Sequence, residues 1–215
     1  MVYDSAGNRI IKKEGDITTL SVAGTELAFN GATSTADASR YYTFLGDTIA
    51  IRTGNSADKL LSVAADHQGT PHHQIRNDNS AVTTSWTNPF GAARGTTPTD
   101  WAGTRGFVGG TKDATGLTHI GAREYDPVLQ RFTTVDPIMV LEDPLQWNAY
   151  TYAENNPVTF SDPTGLISVS GGETRPPPPG GSGSGSSAGG GSAGTASAGY
   201  AKAQKRTTKK WPKKQ

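Results

Sequence analysis

Asp-Pro and Asn-Pro dipeptides recur between Gly106 and Leu166 and constrain the fold more than any other feature of the sequence. They are Asp126-Pro127, Asp136-Pro137, Asp143-Pro144, Asn156-Pro157 and Asp162-Pro163. The proline ring fixes φ for a type I turn, and the Asx side chain accepts a hydrogen bond from the backbone beyond it. The residue before proline also avoids the helical region. The pattern therefore predicts tightly turned β-structure, with 143–150 as the one stretch suited to a helical turn.

The residues upstream of this segment have the pattern of β-hairpins. Turn-forming Gly, Asn and Asp residues separate short runs of apolar, aromatic and β-branched residues, at intervals of roughly 20 residues. The predicted strand–turn–strand units are 2–11, 18–29 and 40–52, the last with Gly46-Asp47 at its turn, followed by a strand and turn over 60–70 and a strand over 81–86. The sequence thus predicts a mainly β fold of repetitive antiparallel hairpins with a compact core domain.

The composition changes after Leu166. Residues 167–215 number 49, of which 11 are Gly, 8 Ser and 5 Pro, and this composition buries too little apolar surface to offset chain entropy. We expect three parts: hairpin repeats over residues 1–100, a core domain over 101–166, and a disordered Pro/Gly/Ser-rich tail over 167–215 that acts as a tether.

Charge divides at the same boundary. The tail holds eight basic residues against one acidic residue, a net charge of +7, which leaves −6 for residues 1–166 in a chain of net charge +1. We interpret the basic end as a solvated tail. A weak contact with nucleic acid or an anionic surface is the alternative interpretation.

Several kinds of site and compartment signal are missing from the sequence. Cysteine is absent, so disulfides and thiolate metal ligands are excluded. The four histidines (His67, His72, His73 and His119) lack the spacing of metal ligands, and Gly109-Gly110 lacks the setting of a phosphate loop. We therefore predict no metal and no cofactor. The sequence also predicts no transmembrane segment and no standard export signal, although export by another route or within a larger polypeptide is compatible with it.

Motifs along residues 1–166 resemble those of Rhs (rearrangement hotspot) and YD-repeat proteins. Tyr3-Asp4-Ser5-Ala6-Gly7-Asn8-Arg9 resembles one tyrosine-aspartate repeat unit. The segments that resemble the Rhs repeat-associated core domain most closely are Thr-Gly-Leu-Thr-His-Ile-Gly-Ala-Arg-Glu-Tyr-Asp-Pro (115–127), Gln-Arg-Phe-Thr-Thr-Val-Asp-Pro (130–137), Ala-Tyr-Thr-Tyr-Ala-Glu-Asn-Asn-Pro-Val (149–158) and Asp-Pro-Thr-Gly-Leu (162–166).

The resemblance implies a fold, a reaction and partners. Such proteins wind β-hairpins into a hollow shell around a variable C-terminal toxin, and in several members the core cuts the chain after its Asp-Pro-x-Gly-Leu turn. Transferred to this sequence, the resemblance implies Asp136 and Asp162 as the catalytic pair, Arg123 and Asp126 as supporting residues, and Leu166–Ile167 as the scissile bond. The implied partners are the remainder of a longer shell, or a C-terminal toxin and its immunity protein. The implied location is outside the cell or on its surface, as part of a larger exported protein.

Two neighbouring carboxyl groups suit such a reaction. They cannot both ionise at low cost, so one keeps its proton while the other activates water. Because the bond lies in the same chain, a high effective concentration replaces substrate binding. We expect at most a self-cleaving protease. The alternatives are a non-catalytic surface or interaction scaffold that binds cell surfaces or carbohydrate, a degenerate remnant without its toxin, and a tail that is itself the effector. A closed shell needs more hairpins than 166 residues supply, so we expect a fragment or a remnant.

Overall fold

Nine consecutive strands form one antiparallel sheet in which each strand pairs with the next along the chain. The computed structural model describes residues 1–4, 8–54, 59–138 and 147–170. The strands are β1 (Val2–Tyr3), β2 (Arg9–Glu14), β3 (Ile17–Val22), β4 (Thr25–Asn30), β5 (Thr35–Phe44), β6 (Asp47–Thr53), β7 (Leu60–Ala65), β8 (Pro71–Arg76) and β9 (Val82–Thr84). The predicted mainly β, antiparallel hairpin fold is confirmed, and the described residues contain no α-helix.

Two-residue turns set the register of the sheet. Ala23 and Gly24 connect β3 to β4 with φ values of 49° and 73°, and Leu45 and Gly46 connect β5 to β6 with 51° and 94°. A turn with two positive φ angles matches the twist of the flanking strands. The predicted position of the third turn was one residue late, because Asp47 already belongs to β6 and the exposed Leu45 accepts a positive φ.

The strand predicted over 81–86 is interrupted. Val82–Thr84 continues the large sheet as β9, whereas Trp86–Thr87 (β10) pairs with Ala93–Arg94 (β11) in a separate hairpin. Ser85 lies between them and donates its backbone N–H to the carbonyl of His72. Periodicity alone does not reveal this change of partner.

The remaining strands surround an aromatic core. A four-stranded sheet contains β12 (Thr111–Lys112), β13 (Thr118–Ile120), β14 (Arg123–Asp126) and β15 (Arg131–Phe132), and β16 (Phe160–Ser161) pairs with β17 (Val169–Ser170). Two 3₁₀ turns, Phe107–Gly109 and Ala153–Asn155, accompany them. The rings of the core, at centroid distances of 5.0 to 5.9 Å, belong to Phe107, Tyr125, Phe132 and Tyr152.

Two of the sequence predictions concern the ends of these units. The division at residue 100 stays a prediction. Regular pairing continues through Val169–Ser170, beyond the expected start of the tail at Ile167. The rest of the predicted disordered tail (171–215), and residues 143–146 of the possible helical turn, lie outside the described residues.

Buried polar side chains on one face of the large sheet hold the segment that leads to the core. Lys12 bonds to Asp113 at 2.9 Å, the Thr104 hydroxyl donates to Glu26 at 2.8 Å, and Gln74 exchanges two hydrogen bonds of 2.8 Å with Ala102. The opposite face exposes the apolar side chains Leu20, Val22, Leu27 and Phe29. The sheet therefore positions the start of the four-stranded unit. Within the described ranges, no helix has the length and apolar character needed to cross a membrane.

Candidate functional site

The tip of the β13–β14 hairpin packs directly against the Asp-Pro-Thr-Gly-Leu turn. Ala122 donates its backbone N–H to the Thr164 carbonyl at 2.9 Å. Gly121 and Gly165 both have positive φ angles, of 54° and 67°. A Cβ atom on Gly121 would overlap the Thr164 carbonyl, and one on Gly165 would overlap the Ile120 carbonyl. The two glycines therefore permit the close backbone approach that joins the hairpin to the turn.

Arg123, the first residue of β14, lies at the centre of this contact with only 4% of its surface exposed. Its Nη2 atom is 2.8 Å from Asp136 Oδ2 and 3.1 Å from Asp162 Oδ2. Its Nε donates to the Gly165 carbonyl, and Nη1 donates to the Ala149 carbonyl at 3.3 Å. One guanidinium thus bridges two carboxyl groups that are 26 positions apart in the sequence.

The aromatic core fixes the position of this guanidinium. Arg123 Cζ lies 3.6 Å from the centroid of the Phe132 ring, a cation–π contact with a fully buried aromatic side chain. Burial on that side and carbonyl acceptors on the other leave the charged group little freedom to move.

Asp162 contacts the backbone of the predicted scissile bond. The carboxyl group belongs to a residue that is 3% exposed, and Oδ1 accepts hydrogen bonds from the amides of Leu166 at 3.0 Å and Ile167 at 3.1 Å. The Thr164 hydroxyl donates to the same oxygen at 3.2 Å. Because Oδ2 faces Arg123, one side chain connects the guanidinium to the nitrogen of the Leu166–Ile167 peptide bond.

Asp136 has a different set of hydrogen bonds and a raised pKa. Its Oδ1 accepts the backbone N–H of Ile138 at 2.8 Å, as expected for a turn-initiating aspartate. Burial, the largest effect, raises the pKa of the Asp136 carboxyl above its ordinary value, and the charge of Asp162 adds to the rise. The Ile138 hydrogen bond and Arg123 oppose the rise without cancelling it. Asp136 therefore holds a proton more readily than an ordinary aspartate does.

Asp126 lies apart from the other predicted residues. It ends β14, at the opposite end of the strand from Arg123, and its Oδ1 accepts the backbone N–H groups of Val128 at 2.8 Å and Leu129 at 2.9 Å. The structure thus brings together Arg123, Asp136, Asp162, Leu166 and Ile167, and it places the Asp126 carboxylate in its own turn.

Two contributors to the site were missed by the sequence reasoning. The Thr164 hydroxyl bonds to Asp162, and the Phe132 ring supports Arg123. Thr164 could have been found, because a hydroxyl two residues after a turn aspartate is within reach of its carboxylate. Phe132 had no such signal, since the contact arises from pairing of β14 with β15.

A second charged cluster lies on the large sheet. Arg9 makes two hydrogen bonds with Asp113, of 2.7 and 2.8 Å, between side chains that are 6% and 4% exposed. Lys12 contacts the same carboxylate. In the part of the chain that the structure describes, no group of three or more His, Asp or Glu side chains is placed to hold a metal ion.

Comparison with known proteins gives matches in animal and bacterial proteins. The teneurin YD-shell family model matches residues 32–158. The chain is 30% identical to teneurin-1 of Mus musculus over 169 residues, which are 73% of this chain and 6% of that protein. It is 36% identical over 61 residues to the toxin subunit YenC1 of Yersinia entomophaga, covering 28% of this chain and 6% of that subunit. The chain thus spans only a small part of these relatives.

Solved structures share the fold. The crystal structure of TcdB2-TccC3 superposes with a TM-score of 0.59 at 22% identity, over 76% of this chain and 9% of the other. TcdB2-TccC3 without its hypervariable C-terminal region gives 0.58 at the same identity and coverage. Identity at this level shows the fold alone. The resemblance to YD-repeat proteins is confirmed, and with more than half of its residues matched by the family model, the chain belongs to the teneurin YD-shell family.

Proposed function

We propose that this YD-shell segment closes the end of a shell and hydrolyses its own backbone between Leu166 and Ile167. The observation that carries the proposal is the hydrogen bond from the Ile167 amide to Asp162 Oδ1. The nitrogen of Ile167 is the atom that must leave when this bond is cut, and it already lies against a buried carboxyl group. Asp136 contacts the same Nη2 atom of Arg123 as Asp162 does.

The pair divides the chemistry between an ionised and a protonated carboxyl group. Asp162 acts as the base: its carboxylate removes a proton from the attacking water and returns it to the Ile167 nitrogen as the C–N bond breaks. Asp136, with its raised pKa, donates a hydrogen bond to the Leu166 carbonyl oxygen as negative charge develops there. Water adds across the bond, Leu166 gains a carboxylate and Ile167 gains an amine.

The same proposal includes the context implied by the family. Residues 1–100 would continue the wall of a longer shell, 101–166 would close it, and the segment after Leu166 would be the released part. A hypervariable C-terminal region belongs to the TcdB2-TccC3 protein of similar fold, which supports this division. The partners would be the rest of such a shell, or a toxin and its immunity protein. The location would be secreted or on the cell surface, and the basic tail would contact nucleic acid or anionic surfaces weakly.

The test is to express the full chain and measure the masses of the products. We expect two fragments that end at Leu166 and begin at Ile167. Asp162→Asn should reduce the cleavage rate at least 100-fold, an order of magnitude typical for loss of a general acid–base group. Asp126→Asn is the matched control, because it alters another Asp-Pro turn outside the site, and it should cleave normally. An intact wild-type chain, or cleavage that persists in Asp162→Asn, would contradict the proposal.

A second function is favoured by one observation. Arg123 Nη2 lies within 3.1 Å of both carboxyl groups, where an aspartic protease pair would hold water between them. On this alternative, the three side chains form a clamp that fixes the turn, and the chain is a non-catalytic surface or interaction scaffold. An intact wild-type chain would favour this candidate over proteolysis.

A further inference from the structure

The chain on the far side of the Leu166–Ile167 bond is held by its own backbone contacts. Ser161 pairs with Val169 and Phe160 pairs with Ser170, so β16 and β17 flank the turn that contains the bond. The Ile167 amide adds its 3.1 Å hydrogen bond to Asp162, a residue that is 3% exposed. Breaking the Leu166–Ile167 bond alone would leave these contacts in place.

Hydrolysis would change the charge at this position. The neutral amide of Ile167 becomes an α-amine, which takes up a proton at neutral pH. Before the cut, Asp162 Oδ2 contacts the cation Arg123, whereas the donors on Asp162 Oδ1 are neutral: the Thr164 hydroxyl and the amides of Leu166 and Ile167. An ammonium group at the Ile167 nitrogen would supply a second cation, and a charge-assisted hydrogen bond is roughly twice as strong as a neutral one. The new carboxylate belongs to the upstream product, which Arg123 holds through the Gly165 carbonyl.

We propose that the carboxylate of Asp162, the residue that follows β16, forms a binding site for the N-terminal ammonium of the downstream product. This inference rests on the proposed cleavage and adds a step to it. The downstream product stays bound after the cut, and its release is a step separate from hydrolysis. Asp162 contacts the Ile167 nitrogen directly. The ionisable groups next to Asp162 are Arg123 on β14 and the buried phenol of Tyr152, and Asp136, after β15, contacts the same Arg123.

The test generates the same N-terminus with an external protease in the full chain. Four residues, Ile-Glu-Gly-Arg, are inserted before Ile167 in an Asp136→Asn background, so that factor Xa cuts immediately before Ile167. A single cysteine introduced by Ala201→Cys carries a dye, since the chain has no cysteine of its own. The protein is immobilised through its N-terminus, cut, and washed while release of the dye is recorded. Because the cut is external, failure of self-cleavage in the wild type does not affect this result.

The matched control carries one extra glycine before Ile167, which moves the ammonium away from Asp162 and leaves β17 unchanged. We expect the tail that begins at Ile167 to be released about tenfold more slowly than the control tail. Asp162→Asn should remove the difference, and so should raising the pH from about 6.5 to about 10, which deprotonates the α-amine. Equal release rates for the two tails, whether both fast or both slow, would overturn the proposal.

Discussion

At the scale of single residues, one positive charge serves two acids. Arg123 Nη2 reaches both Asp136 and Asp162, and the buried guanidinium lies against the Phe132 ring. Asp162 has three donors on Oδ1 and the cation on Oδ2, whereas Asp136 has a single backbone donor on Oδ1. The two carboxyl groups therefore differ in their hydrogen bonds although both contact the same cation. This asymmetry is the basis on which the proposed mechanism gives them separate roles.

The raised pKa of Asp136 predicts how stability depends on pH. A carboxyl whose pKa is higher in the folded state binds its proton more tightly there, so its contribution to stability decreases as the pH rises from the unfolded value through the folded value. The free energy of unfolding of wild type, minus that of Asp136→Asn, should therefore fall over this interval. Urea unfolding from about pH 3.5 to pH 7 measures it, starting near the ordinary aspartate pKa. If this difference in unfolding free energy instead rises with pH, Arg123 lowers the pKa of Asp136 by more than burial raises it.

At the scale of elements, turn chemistry was the predictable part of the fold. Glycine, asparagine and aspartate between apolar runs indicated the hairpins, and the Asp-Pro-Thr-Gly-Leu motif indicated the last turn. The positive φ of Leu45 was not predictable, because leucine rarely adopts one. The break at Ser85 was not predictable either, because periodicity alone does not reveal that a strand changes its pairing partner. In the site, the family resemblance gave Arg123, Asp136 and Asp162. The support from Phe132 depends on packing between strands, which the sequence does not encode locally.

A substitution at Gly165 tests whether the close backbone packing between the hairpin and the turn positions the Leu166–Ile167 bond. Gly165→Ala places a Cβ at positive φ and against the Ile120 carbonyl, whereas Gly116→Ala has a similar φ of 86° and open space around the new atom. We expect Gly116→Ala to cost about 1 kcal/mol from backbone strain, and Gly165→Ala a further 1–3 kcal/mol or so from overlap. Urea unfolding of both variants measures the difference. Equal losses would mean that the turn shifts freely away from the hairpin.

At the scale of the whole molecule, the large sheet and the core segment are joined through buried charges. Arg9 on β2 and Asp113 after β12 are far apart in sequence, and their contact is a paired hydrogen bond between nearly inaccessible groups. Burial alone would raise the pKa of Asp113, but the hydrogen bonds and charges of Arg9 and Lys12 outweigh it, and the pKa is lowered. The ionised form is therefore the one that holds the sheet to the segment carrying the site.

Removing the charge of Asp113 should weaken the link between the large sheet and the segment that carries the site. Asp113→Asn removes the carboxylate that Arg9 and Lys12 share and leaves them only Glu124 and Glu14 as acidic partners. We therefore expect a loss of up to about 3–5 kcal/mol in the free energy of unfolding. A lowered folded pKa means that the stabilisation is present above the unfolded pKa and lost as the pH falls through the folded pKa, so acid should destabilise wild type more than the variant. Asp78→Asn, which breaks the exposed pair with Arg76, is the matched control and should leave stability unchanged.

The Asp113→Asn variant should also weaken the site, because the hairpin that carries Arg123 follows Asp113 in the chain. Hydrogen exchange of the Leu166 amide, which donates to Asp162 and remains an amide after cleavage, measures that coupling. Faster exchange than in wild type is expected in Asp113→Asn and not in Asp78→Asn, and unchanged exchange in Asp113→Asn would show that the site forms independently of the sheet.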